Sequence, residues 1–204
     1  DRVAQRLDSI ASLVPQSKMK SDPTSLIRVK ERLNVFKEKF SEGELVIKEL
    51  PSGSTSVHGI RAFLSILRNH ERFEPDVIIV DYIGLLKASD KGMAKYEAME
   101  QIVSDLRGLA QEYKCVVWTA TQTNRQGRNV RLITDSELGD SYGQVRPVDL
   151  AVSLNQTREE YEDGAMRLYA MKVRNGRAFF QVPLTINYNT LEIKEGKADL
   201  EEGM

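Results

Sequence analysis

Val77-Ile78-Ile79-Val80-Asp81 constrains the fold more than any other stretch, because an unbroken β-branched run stops abruptly at one carboxylate. Such a run predicts a strand buried on both faces, in the interior of a parallel sheet. An aspartate at its carboxyl end sits on the sheet edge where open α/β folds bind ligands. In that position it can hold the magnesium that accompanies a triphosphate. It can equally cap the turn that follows, and the run alone leaves both readings open.

A chain of 204 residues, 41% hydrophobic and 29% charged, is large enough for one domain with a sizeable core. Its net charge of −1 carries no global signature for nucleic acid, so any such partner must be met by a local patch. The one cysteine, Cys115, lies inside an apolar run and reads as a buried filler, a usage that suits a reducing compartment such as the cytoplasm. No stretch approaches the ~18 apolar residues of a membrane span, and no signal peptide is visible. The first residue is Asp1 and opens onto a helical pattern, so the sequence is expected to be a piece of a longer protein.

Val3, Leu7, Ile10 and Leu13 or Val14 recur at helical spacing up to Pro15, and a polar stretch from Gln16 to Ser25 follows. Leu26, Val29, Leu33, Phe36 and Phe40 predict an amphipathic helix ended near Gly43. Leu45 to Lys48 is a short strand candidate, Pro51-Ser52-Gly53 a turn, and Ile60, Phe63, Leu64 and Leu67 the face of a helix entered through Ser54, Thr55 or Ser56. After the strand at 77–81, the face Met99, Ile102, Val103, Leu106, Leu109, Ala110 and Tyr113 leads into a second buried strand at 115–120. This alternation predicts right-handed βαβ crossovers in a parallel sheet. Residues 123–147 lack a period and are expected to be functional or mobile. Val148 to Leu154 reads as a strand and Tyr161 to Gly164 as a loop tip. Arg167 to Val173 and Ala178 to Ile186 flank the hairpin signal Asn175-Gly176. The expected organisation is one partial domain over 1–204, with a frayed tail over 194–204.

In a parallel βαβ unit both strands run the same way, so Thr119-Ala120-Thr121-Gln122 ends on the same sheet edge as Asp81. Gln122 can donate to a terminal phosphate oxygen and accept from an attacking water, or it can satisfy loop backbone groups. Arg125, Arg128 and Arg131 form a basic strip suited to a phosphate backbone, diluted by Asp135, Glu137 and Asp140. Strand alternation puts Lys172 and Arg174 on one face, where two cations can stabilise charge developing on a γ-phosphate or stand as solvated hairpin charges. His58 and His70 lack metal-ligand spacing and read as helix-surface residues. No G-x-x-x-x-G-K-S/T phosphate loop occurs in the 204 residues, and Pro51-Ser52-Gly53-Ser54-Thr55 lacks the lysine to replace it.

Four segments in this order and spacing resemble the ATPase domain of the DnaB-type replicative helicases, in particular those of T4-like bacteriophages. They are 45–53, Asp76 to Gly84, Leu106 to Ala110 leading to Trp118 to Gln122, and Met171 to Gly176. The resemblance covers nearly the whole chain. It implies a RecA-like α/β fold, with a mostly parallel central sheet flanked by helices and an antiparallel C-terminal hairpin. It also implies an ATP- and Mg²⁺-dependent DNA helicase moving 5′-to-3′ on single-stranded DNA as a homo-oligomeric ring, a hexamer in this family, in the cytoplasm of a bacterial host cell or its equivalent, with a primase and a helicase loader as possible partners. By position, Asp81 would hold Mg²⁺ through water, Gln122 would sense the γ-phosphate, and Lys172 and Arg174 would act on the ATP of the adjacent protomer. The phosphate loop and a catalytic glutamate would precede residue 1, so the isolated chain is expected to be inactive. Bacterial members place an arginine and a glutamate near DNA where this sequence has Gly139 and Asp140, so Arg125, Arg128 and Arg131 are the DNA-contact candidates instead. The alternatives are a RecA-like binding module without hydrolysis, or a RecA-type recombinase ATPase.

Overall fold

A computed structural model describes residues 2–39, 43–88, 92–123, 130–134 and 142–196. The chain divides into two compact units, one of Asp1–Glu49, Leu154–Leu168 and Gln181–Met204, the other of Leu50–Ser153 and Tyr169–Phe180. The α/β class holds, but the described strands fall into two sheets rather than one mostly parallel central sheet. No helix among the described residues is long and apolar enough to cross a membrane.

The first unit opens with helices α1 (Arg2–Ser12), α2 (Gln16–Ser21) and α3 (Pro23–Lys39). The polar stretch at 16–25 is therefore largely helical. Its signal is Asp22-Pro23: the Asp22 carboxylate accepts from Thr24 N at 2.9 Å and Ser25 Oγ at 2.9 Å, and proline suits the first helical position. The expected apolar stripe of α1 is not its buried face. Val3, Leu7 and Ile10 are 39–46% exposed, while Ser9 and Ser12 are buried. Both hydroxyls donate to backbone carbonyls, Ser9 to Val14 and Ser12 to Asp8, so burying them leaves no polar group unpaired. Leu26 and Phe36 of α3 are likewise exposed, and among the described residues of the expected face only Val29 is buried, Phe40 lying outside them. Leu45 to Lys48 joins no strand.

Further along, the first half of the predicted loop tip at 161–164 belongs to helix α7 (Arg158–Glu162), which a reciprocal Thr157/Glu160 capping box starts, and Asp163 and Gly164 form the turn after it. The tail is ordered through Glu195, because strand β6 (Glu192–Glu195) pairs antiparallel with β5 (Gln181–Asn187). Residues 197–204 lie outside the described residues. In the four-stranded sheet these follow β3 (Leu150–Asn155) and β4 (Ala165–Val173) in the order β3-β4-β5-β6.

The second unit contains α4 (Val57–Ile66), strand β1 (Val77–Val80), α5 (Lys95–Tyr113) and β2 (Val116–Thr119). The α5 face predicted from periodicity is the core: Ile102, Val103, Leu106, Leu109 and Tyr113 are all buried, Leu109 completely. Strands β1 and β2 pair in parallel, with Val77 beside Val116 and Val80 beside Thr119. Neither is buried on both faces. Ile78 is 9% exposed, but Val77, Ile79, Val116 and Trp118 are 45–76% exposed. Alternating side chains point to opposite faces, and only the face toward the helices is covered by described residues. The hairpin is also longer than Asn175-Gly176 alone predicts. Ala170 N donates to Phe180 O and Phe179 N donates to Ala170 O, so two residues oppose one in a β-bulge, with Phe179 at φ 63.

Candidate functional site

Parallel register carries Asp81 beside Ala120 and leaves Gln122 two residues further along the same rim. Thr119 Oγ1 donates to Val80 O at 2.9 Å, and Ile83 N donates to Ala120 O at 3.3 Å, so the pair stays joined up to and past the acid. The segment after Asp81 is fixed from its other side. Gly53 N donates to Leu85 O and Lys87 N donates to Thr55 O, both at 2.8 Å. Gly84 permits this path, because a Cβ there would lie 2.6 Å from the Tyr82 ring. Asp81 and Gln122 are exposed, and their side chains make no hydrogen bond or ion pair with other described residues. The structure therefore brings these two predicted residues together on one edge.

Lys172 of β4 and Arg174, the first residue of the turn after it, meet a different element, the turn that follows helix α6 (Tyr142–Val145). Lys172 Nζ donates to Val145 O at 3.0 Å and Arg146 O at 2.7 Å. Arg174 Nε pairs with Asp149 Oδ1 at 2.9 Å, and Arg174 N donates to Asp149 O at 2.8 Å. The other carboxylate oxygen, Oδ2, accepts from Arg107 Nη1 at 2.8 Å, which also reaches Pro147 O at 2.7 Å. Seven residues earlier on α5, Glu100 pairs with Arg146. The hydrogen bond from Arg107, with attraction to Arg107, Arg174 and Lys172, holds the Asp149 carboxyl below the usual carboxylate range. Burial, with repulsion from Arg174, pulls the Lys172 ammonium below the usual lysine range.

Sequence reading missed Arg107 and Asp149. Arg107 lies within the Leu106 to Ala110 segment but was given no role there, Asp149 belongs to no motif, and their partnership joins positions 42 residues apart. Arg131 is described and exposed, whereas Arg125, Arg128, Gly139 and Asp140 lie outside the described residues.

The model of the DnaB-like helicase C-terminal domain family matches residues 1–193. The chain belongs to that family. It is 28% identical over 159 residues to the DnaB-like replicative helicase of Enterobacteria phage T4, a match that covers 76% of this chain and 34% of that protein. This family member thus spans about a third of its T4 relative. Its fold matches a solved ATPase domain with a TM-score of 0.76 at 20% identity, over 95% of this chain and 69% of that one. A solved DnaB-like replicative helicase, described with its interactions with primase, matches with a TM-score of 0.74 at 20% identity, over 93% of this chain and 47% of that one.

The rim also bears on which metal this domain could accept. Among the described residues no three His, Cys, Asp or Glu side chains form a metal cluster. An exposed carboxylate such as Asp81 can take one place around a cation that keeps most of its waters.

Proposed function

We propose that the intact protein is a replicative DNA helicase and that this chain is the downstream part of its RecA-like motor, working as a ring that moves 5′-to-3′ on single-stranded DNA. The observation that carries this reading is the parallel register of β1 and β2, which delivers an acid and an amide to one rim. Membership of the helicase family supports it. When bound with ATP, Mg²⁺ neutralises charge on the phosphate oxygens. Asp81 holds a water of that ion. Gln122 donates to the terminal phosphate and orients the attacking water, so its position reports whether that phosphate is present. Arg174, and more weakly Lys172, face the nucleotide of the neighbouring protomer, where a guanidinium stabilises charge that grows in the transition state. No G-x-x-x-x-G-K-S/T loop to cradle the phosphates lies within the 204 residues, a primase and a loader are the expected partners, and Arg131 is a candidate DNA contact.

ATP hydrolysis by the full-length, assembled protein tests the reading. Asp81→Asn should lower turnover by roughly 10²-fold or more while the ring still assembles. The 204 residues alone should show no turnover. Unchanged hydrolysis in Asp81→Asn would remove the rim from the chemistry, and robust Mg²⁺-dependent turnover by the isolated chain would refute an upstream phosphate loop.

A further inference from the structure

We infer that Asp149 is a positioning residue for Arg174, aiming its guanidinium from within one protomer at the phosphate of the next. The inference rests on the reading of Arg174 as a trans-acting cation and adds what holds that cation in place. Three observations carry it. Asp149 takes Arg174 by the proximal nitrogen, Nε, and by the backbone N–H. Among the described residues, the distal guanidinium edge makes only a 3.5 Å contact from Nη2 to Pro147 O, so the end that would meet a phosphate is left available by them. This is the geometry of orientation rather than of masking.

Arg107 supplies the second observation. It binds the opposite carboxylate oxygen and Pro147 O, so Asp149 is fixed in direction before it meets Arg174. Were Asp149 anchored by Arg174 alone, the pair could swing as a unit on a flexible side chain. The third observation is the origin of Arg107. It lies on α5, the helix between β1, which Asp81 follows, and β2, which leads to Gln122. A displacement of α5 therefore reaches the guanidinium through one carboxylate. Lys172 differs: its ammonium holds two carbonyls of the same turn and secures the platform on which Asp149 stands.

Single-stranded-DNA-stimulated hydrolysis by the full-length ring separates this role from a structural one. Asp149→Asn should lower kcat about tenfold while KM for ATP stays within about twofold, because the nucleotide is bound by one protomer and the misaimed arginine belongs to another. In the Arg174→Ala background, Asp149→Asn should cost nothing further, since residues that act as one unit are not additive. Arg107→Gln should show the same dependence on Arg174, and it serves where Asp149→Asn disturbs assembly. An unchanged kcat in Asp149→Asn, or penalties that multiply in the double variant, overturns the positioning role while leaving Arg174 in place. An Arg174→Ala ring that hydrolyses ATP normally overturns the trans-acting reading itself.

Discussion

At the strand-end rim, Asp81 and Gln122 are exposed and unengaged by other described residues, while around the 145–149 turn Lys172, Arg174 and Arg107 are all held by groups of their own chain. Both regions are polar and both lie beside α5, yet one keeps its hydrogen-bonding capacity and the other uses much of it. The difference follows from the task each is assigned. A group that binds an ion or a phosphate directly needs free lone pairs and protons when the ligand arrives. A cation that must reach into a neighbouring subunit gains from being oriented beforehand, because its own side-chain freedom would otherwise dilute the productive geometry.

Helix α5 is where this contrast can be broken most forcefully, since it supports both regions. Leu109 is completely buried, α5 packs against β2, and Glu100 and Arg107 of the same helix grip the turn. Leu109→Ala should destabilise the fold by about 2–4 kcal/mol, the range for a buried leucine that leaves a cavity. Denaturant unfolding of the chain gives the number. Loss at the rim alone, with the turn's ion pairs intact, would show that the two regions do not share this support.

Much of this arrangement was legible in the sequence. The α5 period named the buried residues, and the β-branched run followed by a helix and a second run fixed a parallel pair with Asp81 and Gln122 on one edge. What the sequence could not state was which side of each element is covered. A run such as Val77 to Val80 reads the same with one packed face or two, and the stripe at Val3, Leu7 and Ile10 has ideal spacing yet stays exposed while two serines go inside. Burial of an amphipathic face depends on a partner, and the partner is not written in the face itself. The Asp149 cluster was illegible for a related reason. Its three charged members come from a helix, the turn before β3 and the turn after β4, and no local period connects them.

A smaller effect sharpens the rim side of the comparison. Ile79 belongs to the strand that carries Asp81, but its side chain is 76% exposed. Ile79→Thr should therefore change the stability of the 204-residue chain by less than about 0.5 kcal/mol, the range of surface substitutions, with threonine keeping the β-branched shape. A loss of about 1 kcal/mol or more in denaturant unfolding would mean that this face is covered in solution.

The least change is expected at the turn, from pH. Asp149 titrates below the ordinary carboxylate range, so its stabilising contribution is fully present above that range and is lost as pH falls through its own lowered value. Its side chain is 62% exposed, and solvent screening limits the contribution to about 0.5 kcal/mol or less. The stability difference between the parent chain and Asp149→Asn should thus be small and constant from neutral pH upward, and should close only in acid. Denaturant midpoints at neutral and acidic pH measure it. A difference of several kcal/mol at neutral pH would make Asp149 a keystone of the fold, and its tenfold effect on turnover would then follow from lost structure. A small difference beside a tenfold loss of kcat keeps the two apart, because orientation of one guanidinium governs rate while contributing little to folding.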